Sequence, residues 1–132
     1  MWWLHRQLYR LSGGRIGTRA NGFEILMLTT TGRKSGQTRR ATLQSLDHGT
    51  GWAVIGSRAG DDRHPDWWLN LQAEPMADVQ IGSSHTRVRA REAMGEERSS
   101  LWSRFTAIDG AYDEYLTRTT RAIPVVLLEP TG

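Results

Sequence analysis

The sequence predicts one mainly β domain of the α+β kind, a small antiparallel barrel or curled sheet of about six strands with peripheral helices. Three observations lead there. The chain has 132 residues, enough for one hydrophobic core and too few for two. Its β-rich segments are short. They follow one another across tight, glycine-bearing loops, which suit antiparallel pairing, whereas parallel neighbours need long crossovers.

Taken in order, Trp3 to Leu11 reads as an amphipathic helix, with Leu4, Leu8 and Leu11 at helical spacing and Arg6 and Arg10 on other faces. Ser12-Gly13-Gly14 stops it, so residues 1–12 form a short N-terminal helix and 13–132 the single barrel domain. Phe23 to Thr30 is rich in β-formers and reads as a buried strand, followed by a turn from Gly32 to Gly36. Thr38 to Asp47 and Trp52 to Ser57 form a strand pair around His48-Gly49-Thr50-Gly51. Pro65 opens a helix to about Ala73, because proline suits the first helical turn. Ala77 to Ile81 and His85 to Ala93 make a second hairpin about Gly82-Ser83-Ser84. Its second strand alternates, with His85, Arg87, Arg89 and Arg91 on one face and Thr86, Val88 and Ala90 on the other. Glu96 to Ala107 and Tyr112 to Thr119 are helical, and Ile123 to Leu128 is a last strand ending at Pro130.

Composition sets the outer bounds on function. Hydrophobic residues make up 38% and charged residues 23%, proportions of a folded protein that exclude disorder over most of the chain. The longest apolar run, Val125 to Leu128, is too short for a membrane-spanning helix. Arg6 and Arg10 break up what would be the apolar part of a signal peptide, and cysteine is absent. The expected location is therefore the cytoplasm, with no disulfide frame and no thiol nucleophile. The four histidines lack zinc spacing, so no metal is expected.

Charge is unevenly spread. Up to residue 40 there are eight basic residues and one acid, Glu24, and acids predominate thereafter. An anionic partner should be met near the start: a phosphorylated cofactor, a nucleic acid or an anionic lipid surface. Composition does not choose among these. Trp2, Trp3, Leu4, Leu8 and Leu11 beside two arginines suit either weak peripheral contact with a membrane, at its inner face, or docking onto the barrel. No aromatic residues interleave Arg87, Arg89 and Arg91 to stack bases, which disfavours nucleic acid.

Three segments carry candidate chemistry. Arg33, Lys34, Arg39 and Arg40 crowd a glycine-bracketed turn, where backbone N–H groups can approach an anion and the cations can grip it. Neither a Walker loop nor a dinucleotide fingerprint is present; an ordinary charged hairpin tip is the alternative. In the second segment, Trp67 and Trp68 begin a helix after Ser57-Arg58 and a polar loop. Adjacent tryptophans point about 100° apart, so one should pack on the barrel while the other could wall a cleft for a flat cofactor. His64 should cap that helix. In the third, Tyr112 and Tyr115 share a helix face. They either close a pocket and offer a hydrogen bond to a substrate oxygen, or pack the core with exposed hydroxyls. No nucleophile elbow or carboxylate pair supports hydrolysis, so an enzyme of this sequence would rely on a bound cofactor.

The segments T-T-T-G-R-K-S-G-Q at 29–37, S-R…H-P-D-W-W-x-N-L at 57–71, A-x-P at 73–75 and E-Y-x-x-R-T-x-R-x-I-P-V-V-L-L-E-P at 114–130 occur in this order. From about Gly13 onward the chain resembles the deazaflavin-dependent nitroreductase family, whose members use reduced coenzyme F420. The resemblance implies a split β-barrel of the FMN-binding-like kind. It implies that the residues matching Arg33, Lys34, Ser35 and Arg39 hold the coenzyme's phosphate and polyglutamate tail. The strand Arg40, Ala41, Thr42, Leu43, Gln44 and Ser45 would run beside the deazaflavin ring, largely through backbone contacts. Ile55, Gly56, Ser57 and Arg58 would line the same groove. Asp66, Trp67, Trp68, Leu69 and Asn70 match the helix start that covers the ring, with Trp67 as stacking wall. Tyr112 matches a tyrosine near hydride transfer, a candidate catalytic residue, and Tyr115 would assist substrate binding.

The activity so implied is hydride transfer to an electron-poor acceptor: a quinone, a nitroaromatic or an activated enone. The alternative is a non-catalytic split barrel binding FMN, haem or F420, and FMN is the alternative cofactor. Monomer and homodimer both occur among such barrels. The sequence departs from the family pattern at Thr42, where proline is common, and at Gln44, where a bulky apolar or aromatic residue is common. Arg58 stands where lysine is common.

Overall fold

The computed structural model describes residues 19, 20 and 22–131; the helix expected over Trp3–Leu11, and with it the 1–12 segment, lies outside the described residues. The described residues form seven strands: β1 (Arg19–Ala20), β2 (Phe23–Thr31), β3 (Thr38–His48), β4 (Gly51–Ile55), β5 (Met76–Ile81), β6 (Ser84–Glu92) and β7 (Val125–Pro130). Three α-helices accompany them: α1 (Asp66–Ala73), α2 (Gly95–Ile108) and α3 (Ala111–Arg118). The order β2-β3-β4-β7-β6-β5, closed by pairing of β5 with β2, makes a six-stranded barrel, and every pairing is antiparallel. The short β1 adds a ribbon to β2.

The two-residue period of the strands divides the apolar side chains between two cores. Leu26, Leu28, Val54, Val79, Val88, Val126 and Leu128 fill the barrel. Phe23, Ile55, Val125 and Leu127 point outward, under α2 and α3, where they meet Leu101, Phe105 and Tyr112. Val125 to Leu128 is thus buried on both faces, which is why its sequence is continuously apolar rather than alternating. On β6 the alternation reads as expected, with Val88 buried and His85, Arg87, Arg89 and Arg91 exposed.

Several boundaries differ from the sequence reading. The fourth strand ends at Ile55, not Ser57, because Arg58–Gly60 turns as a short 3-10 helix through left-handed conformations at Arg58 (φ 45°) and Ala59 (φ 53°). Pro65 precedes α1 as its N-cap instead of occupying its first turn. His64 does not cap the helix; its Nδ1 accepts a hydrogen bond from Arg121 Nη1 at 3.0 Å. Trp67 and Trp68 both lie in the barrel core, at 8% and 6% exposure. Trp67, Trp68, Asn70 and Leu71 are all buried, and at about 100° per residue they span roughly 160° of the helix. The helix is wedged rather than laid on a surface, so more than one stripe is covered.

The helix packs against β2 and β3. β3 pairs with β2 from Thr38 to Ser45 but with β4 only from Leu46 to His48. Among the described residues, the other edge of β3 has no strand neighbour over 38–45, and alternate residues there direct backbone N–H and C=O groups away from the sheet.

At the far end of the barrel, Arg91 bridges Glu97 (2.8 Å) and Glu129 (2.8 Å), and His48 Nε2 meets Glu97 at 3.1 Å. The hydrogen bonds from Arg91, then that from His48, pull the Glu97 carboxyl down to about 2 from 4.5. A carboxyl more acidic in the folded chain stabilises it above the unfolded value, and that contribution fades as pH falls from about 4.5 through 2. In urea unfolding between pH 6 and 2, Glu97→Gln should show a shallower loss of stability than wild type. Parallel profiles would show that Glu97 contributes no pH dependence.

Candidate functional site

The turn between β2 and β3 is closed by its own backbone. Gly32 N–H donates to Gln37 O at 2.7 Å, Gly36 N–H to Gly32 O at 2.8 Å, and Gln37 N–H to Ser35 Oγ at 3.2 Å. Gly36, at φ 74°, takes the left-handed position that glycine tolerates. Four cations ride on this turn and the start of β3, and they are held differently. Arg33 donates from its backbone N–H and from Nη1 to Asn70 Oδ1 (3.2 and 2.9 Å), and from Nη2 to Asp66 Oδ1 (3.3 Å). Arg39 makes longer bonds to Gln37 Oε1 (3.3 Å) and Ser35 Oγ (3.5 Å). Lys34 and Arg40 have no hydrogen bond or ion pair with a described residue.

Between this turn and α1 lies a cleft of about 410 Å³. Thr30, Gly32, Arg33, Lys34, Ser35, Arg39, Arg40 and Ala41 line one side, and Asp66, Trp67 and Asn70 the other. Among the described residues four cations thus face a single carboxylate, so an anion entering the cleft is attracted and finds two cations with no described partner. Trp67 supplies an aromatic wall while remaining part of the core.

From the cleft, one face of β3 carries Arg40, Thr42 and Gln44 in line, a run of roughly 13 Å at strand spacing. It ends where Gln44 Oε1 accepts a hydrogen bond from the Tyr112 hydroxyl at 2.7 Å. Tyr112 is buried, edge-on to Phe105 (5.3 Å), Tyr115 (5.6 Å) and Phe23 (6.0 Å). Burial, then the neighbouring Tyr115 and Asp109, raises its pKa well above that of a free phenol, so it stays protonated. Packing and polar function therefore coincide at Tyr112, and its hydroxyl is engaged.

The remaining expected residues sit elsewhere. Ser45 is buried and donates to Glu24 O at 2.9 Å, while Leu43 and Trp68 belong to the barrel core. Ile55 packs under the helices. Leu69 is partly buried on α1. Gly56, Ser57 and Arg58 lie in a separate loop that leads to α1. That loop is organised by Arg121, which was not singled out from the sequence except as the last arginine of the R-T-x-R run. Its guanidinium donates to Gly56 O (3.1 Å), Ser57 O (2.7 Å) and Asp61 O (2.8 Å) as well as to His64. Burial, then this adjacent charge, lowers the His64 pKa and favours its neutral form. Thr30 and Gly32 line the cleft without having been picked individually. Among the described residues no cluster suited to a metal ion is found, and no helix is long and apolar enough to cross a membrane.

This six-stranded antiparallel barrel, opened where β3 leaves β4 and carrying a cationic cleft beside the unpaired stretch of β3, has the split-barrel fold of F420-dependent reductases. The chain belongs to the F420H(2)-dependent quinone reductase family, whose model matches residues 2–130. It is 35% identical over 129 residues to the F420H(2)-dependent quinone reductase Rv1261c of Mycobacterium tuberculosis, covering 95% of this chain and 87% of that protein. A solved F420-H2 dependent reductase, FDR-A, superposes with a TM-score of 0.72 at 39% identity, over 80% of this chain and 93% of the other. A second solved chain, described as a domain-swapped dimer, superposes at 0.74 with 35% identity, over 96% and 97%.

The protein is therefore an oxidoreductase with coenzyme F420 as its cofactor. Its residues fit that group: unpaired cations for an anionic moiety, an indole wall, and an open strand edge for a polar ring.

Proposed function

We propose that this protein passes a hydride from reduced F420 to an electron-poor acceptor, with quinones, nitroaromatics and activated enones as the candidate classes. The observation that carries the reading is the cleft in which, among the described residues, the exposed Lys34 and Arg40 have no partner and Asp66 is the one carboxylate in the lining. When bound, the reduced deazaflavin supplies the hydride. Lys34, Arg39 and Arg40 would hold its anionic end. The 40–42–44 face and the open edge of β3 would align its ring, and Trp67 would wall the cleft. Tyr112, kept neutral by burial and donating to Gln44, suits an orienting hydrogen bond better than proton delivery, which leaves the acceptor's proton to solvent. The naming of Rv1261c as a quinone reductase supports quinones, while the polar Gln44 side chain favours acceptors bearing hydrogen-bonding oxygens.

The test is to mix the protein with reduced F420 and a panel of quinones, nitroaromatics and enones, and to follow the absorbance of the oxidised coenzyme. Its return with at least one class is expected. No return with any, together with FMN binding as tight as F420 or tighter, would support a non-catalytic carrier instead.

A further inference from the structure

Of the four cations of the cleft, Arg33 is the one hydrogen-bonded to α1 among the described residues, and the tie runs through a buried amide. Asn70 is 2% exposed, and a side chain that is buried and polar must find partners. Its Oδ1 accepts both the backbone N–H and the Nη1 of Arg33, and its Nδ2 donates to Thr30 Oγ1 at 3.1 Å. Asp66, one helical turn earlier on α1, takes Nη2. Two acceptors on one helix face thus grip one guanidinium. Among the described residues these are the hydrogen bonds that join the 32–37 turn to α1. The bond to Asn70 is charge-assisted and partly shielded from water, whereas Asp66 is largely exposed (80%), so Asn70 is the stronger hold.

We propose that Asn70 is a positioning residue of the coenzyme cleft: by holding Arg33 it fixes the 32–37 turn, so that Lys34, Arg39 and Arg40 stand ready for an anion that Arg33 itself does not bind. The inference rests on the reading of the cleft as the F420 site and assigns roles within it. A preset turn spares the ligand the entropy of ordering it.

Lys34 is the only lysine in the chain, so a lysine-specific protease reports on this turn alone. In ligand-free protein, with rates normalised to the urea-unfolded chain, Asn70→Leu should be nicked after Lys34 about tenfold faster than wild type or more. Asn70→Asp, which keeps both acceptors for Arg33, should stay within about threefold of wild type. Arg33→Met should match Asn70→Leu, and the double variant should be no faster than either single. Wild-type nicking of Asn70→Leu, failure of Asn70→Asp to rescue, or additive singles would each overturn the assignment. Should Asn70→Leu not fold, wild-type nicking of Arg33→Met overturns it alone. In an F420 titration Asn70→Leu should bind about tenfold more weakly, with Asn70→Asp near wild type; equal affinities also count against the proposal. If wild type itself binds no F420, the coenzyme reading falls, and the protease series still decides whether Asn70 holds the turn.

Discussion

Replacing Lys34 and Arg39 together by alanine is expected to weaken F420 binding at least tenfold. Each supplies charge-assisted hydrogen bonds of roughly 1.5–3 kcal/mol when shielded, but both side chains stand in solvent. Screening reduces the contribution to about 1 kcal/mol apiece, and two such losses multiply the dissociation constant by roughly thirty. Neither residue carries core packing, so the melting temperature should hardly move. Rising salt should weaken the wild type more than the variant, since the variant has less charge left to screen. Arg87→Ala/Arg89→Ala removes the same formal charge from β6, outside the cleft, and should leave affinity unchanged. If both doubles weaken binding equally, attraction by the whole molecule explains the result and the local grip does not.

Arg121→Met should be strongly destabilising although it lies away from the coenzyme cleft. The thioether keeps most of the length of the side chain but none of its donors, which leaves the carbonyls of Gly56, Ser57 and Asp61 without their partner. A buried acceptor stripped of its donor costs about 1–3 kcal/mol. Partial access to water argues for the low end, about 3 kcal/mol in all, or roughly 10 °C in melting temperature for a chain of this size. Lysine should not rescue it, because a single ammonium cannot reach three diverging carbonyls as the guanidinium fork does. The His64 pKa should rise in the variant, since a neighbouring positive charge is removed. A melting temperature within about 3 °C of wild type would mean that water replaces the guanidinium at little cost.

The features legible in the sequence are those with a short-range cause. The β6 alternation follows from a strand with one face in solvent. The turn at 32–36 was legible because glycines bracket it and cations crowd it. Trp67 lines the cleft and Trp68 packs the barrel, both of them buried, whereas His64 does not cap α1 because Arg121, 57 residues away in sequence, takes its Nδ1. The left-handed run at Arg58 and Ala59 had no local signal, since neither is glycine. It is held by Arg121, more than sixty residues away in sequence.

The sequence by itself determined the six barrel strands, their antiparallel pairing, the basic turn and the family, because each depends on residue type and spacing along the chain. Only the tertiary structure decided which cations remain free. Arg33 and Lys34 are neighbours with the same formal charge, yet one is clamped by Asn70 and Asp66 and the other has no partner among the described residues. That difference arises from contacts across some thirty-five residues, and a hydrogen bond forms only where the fold brings donor and acceptor within about 3 Å of each other.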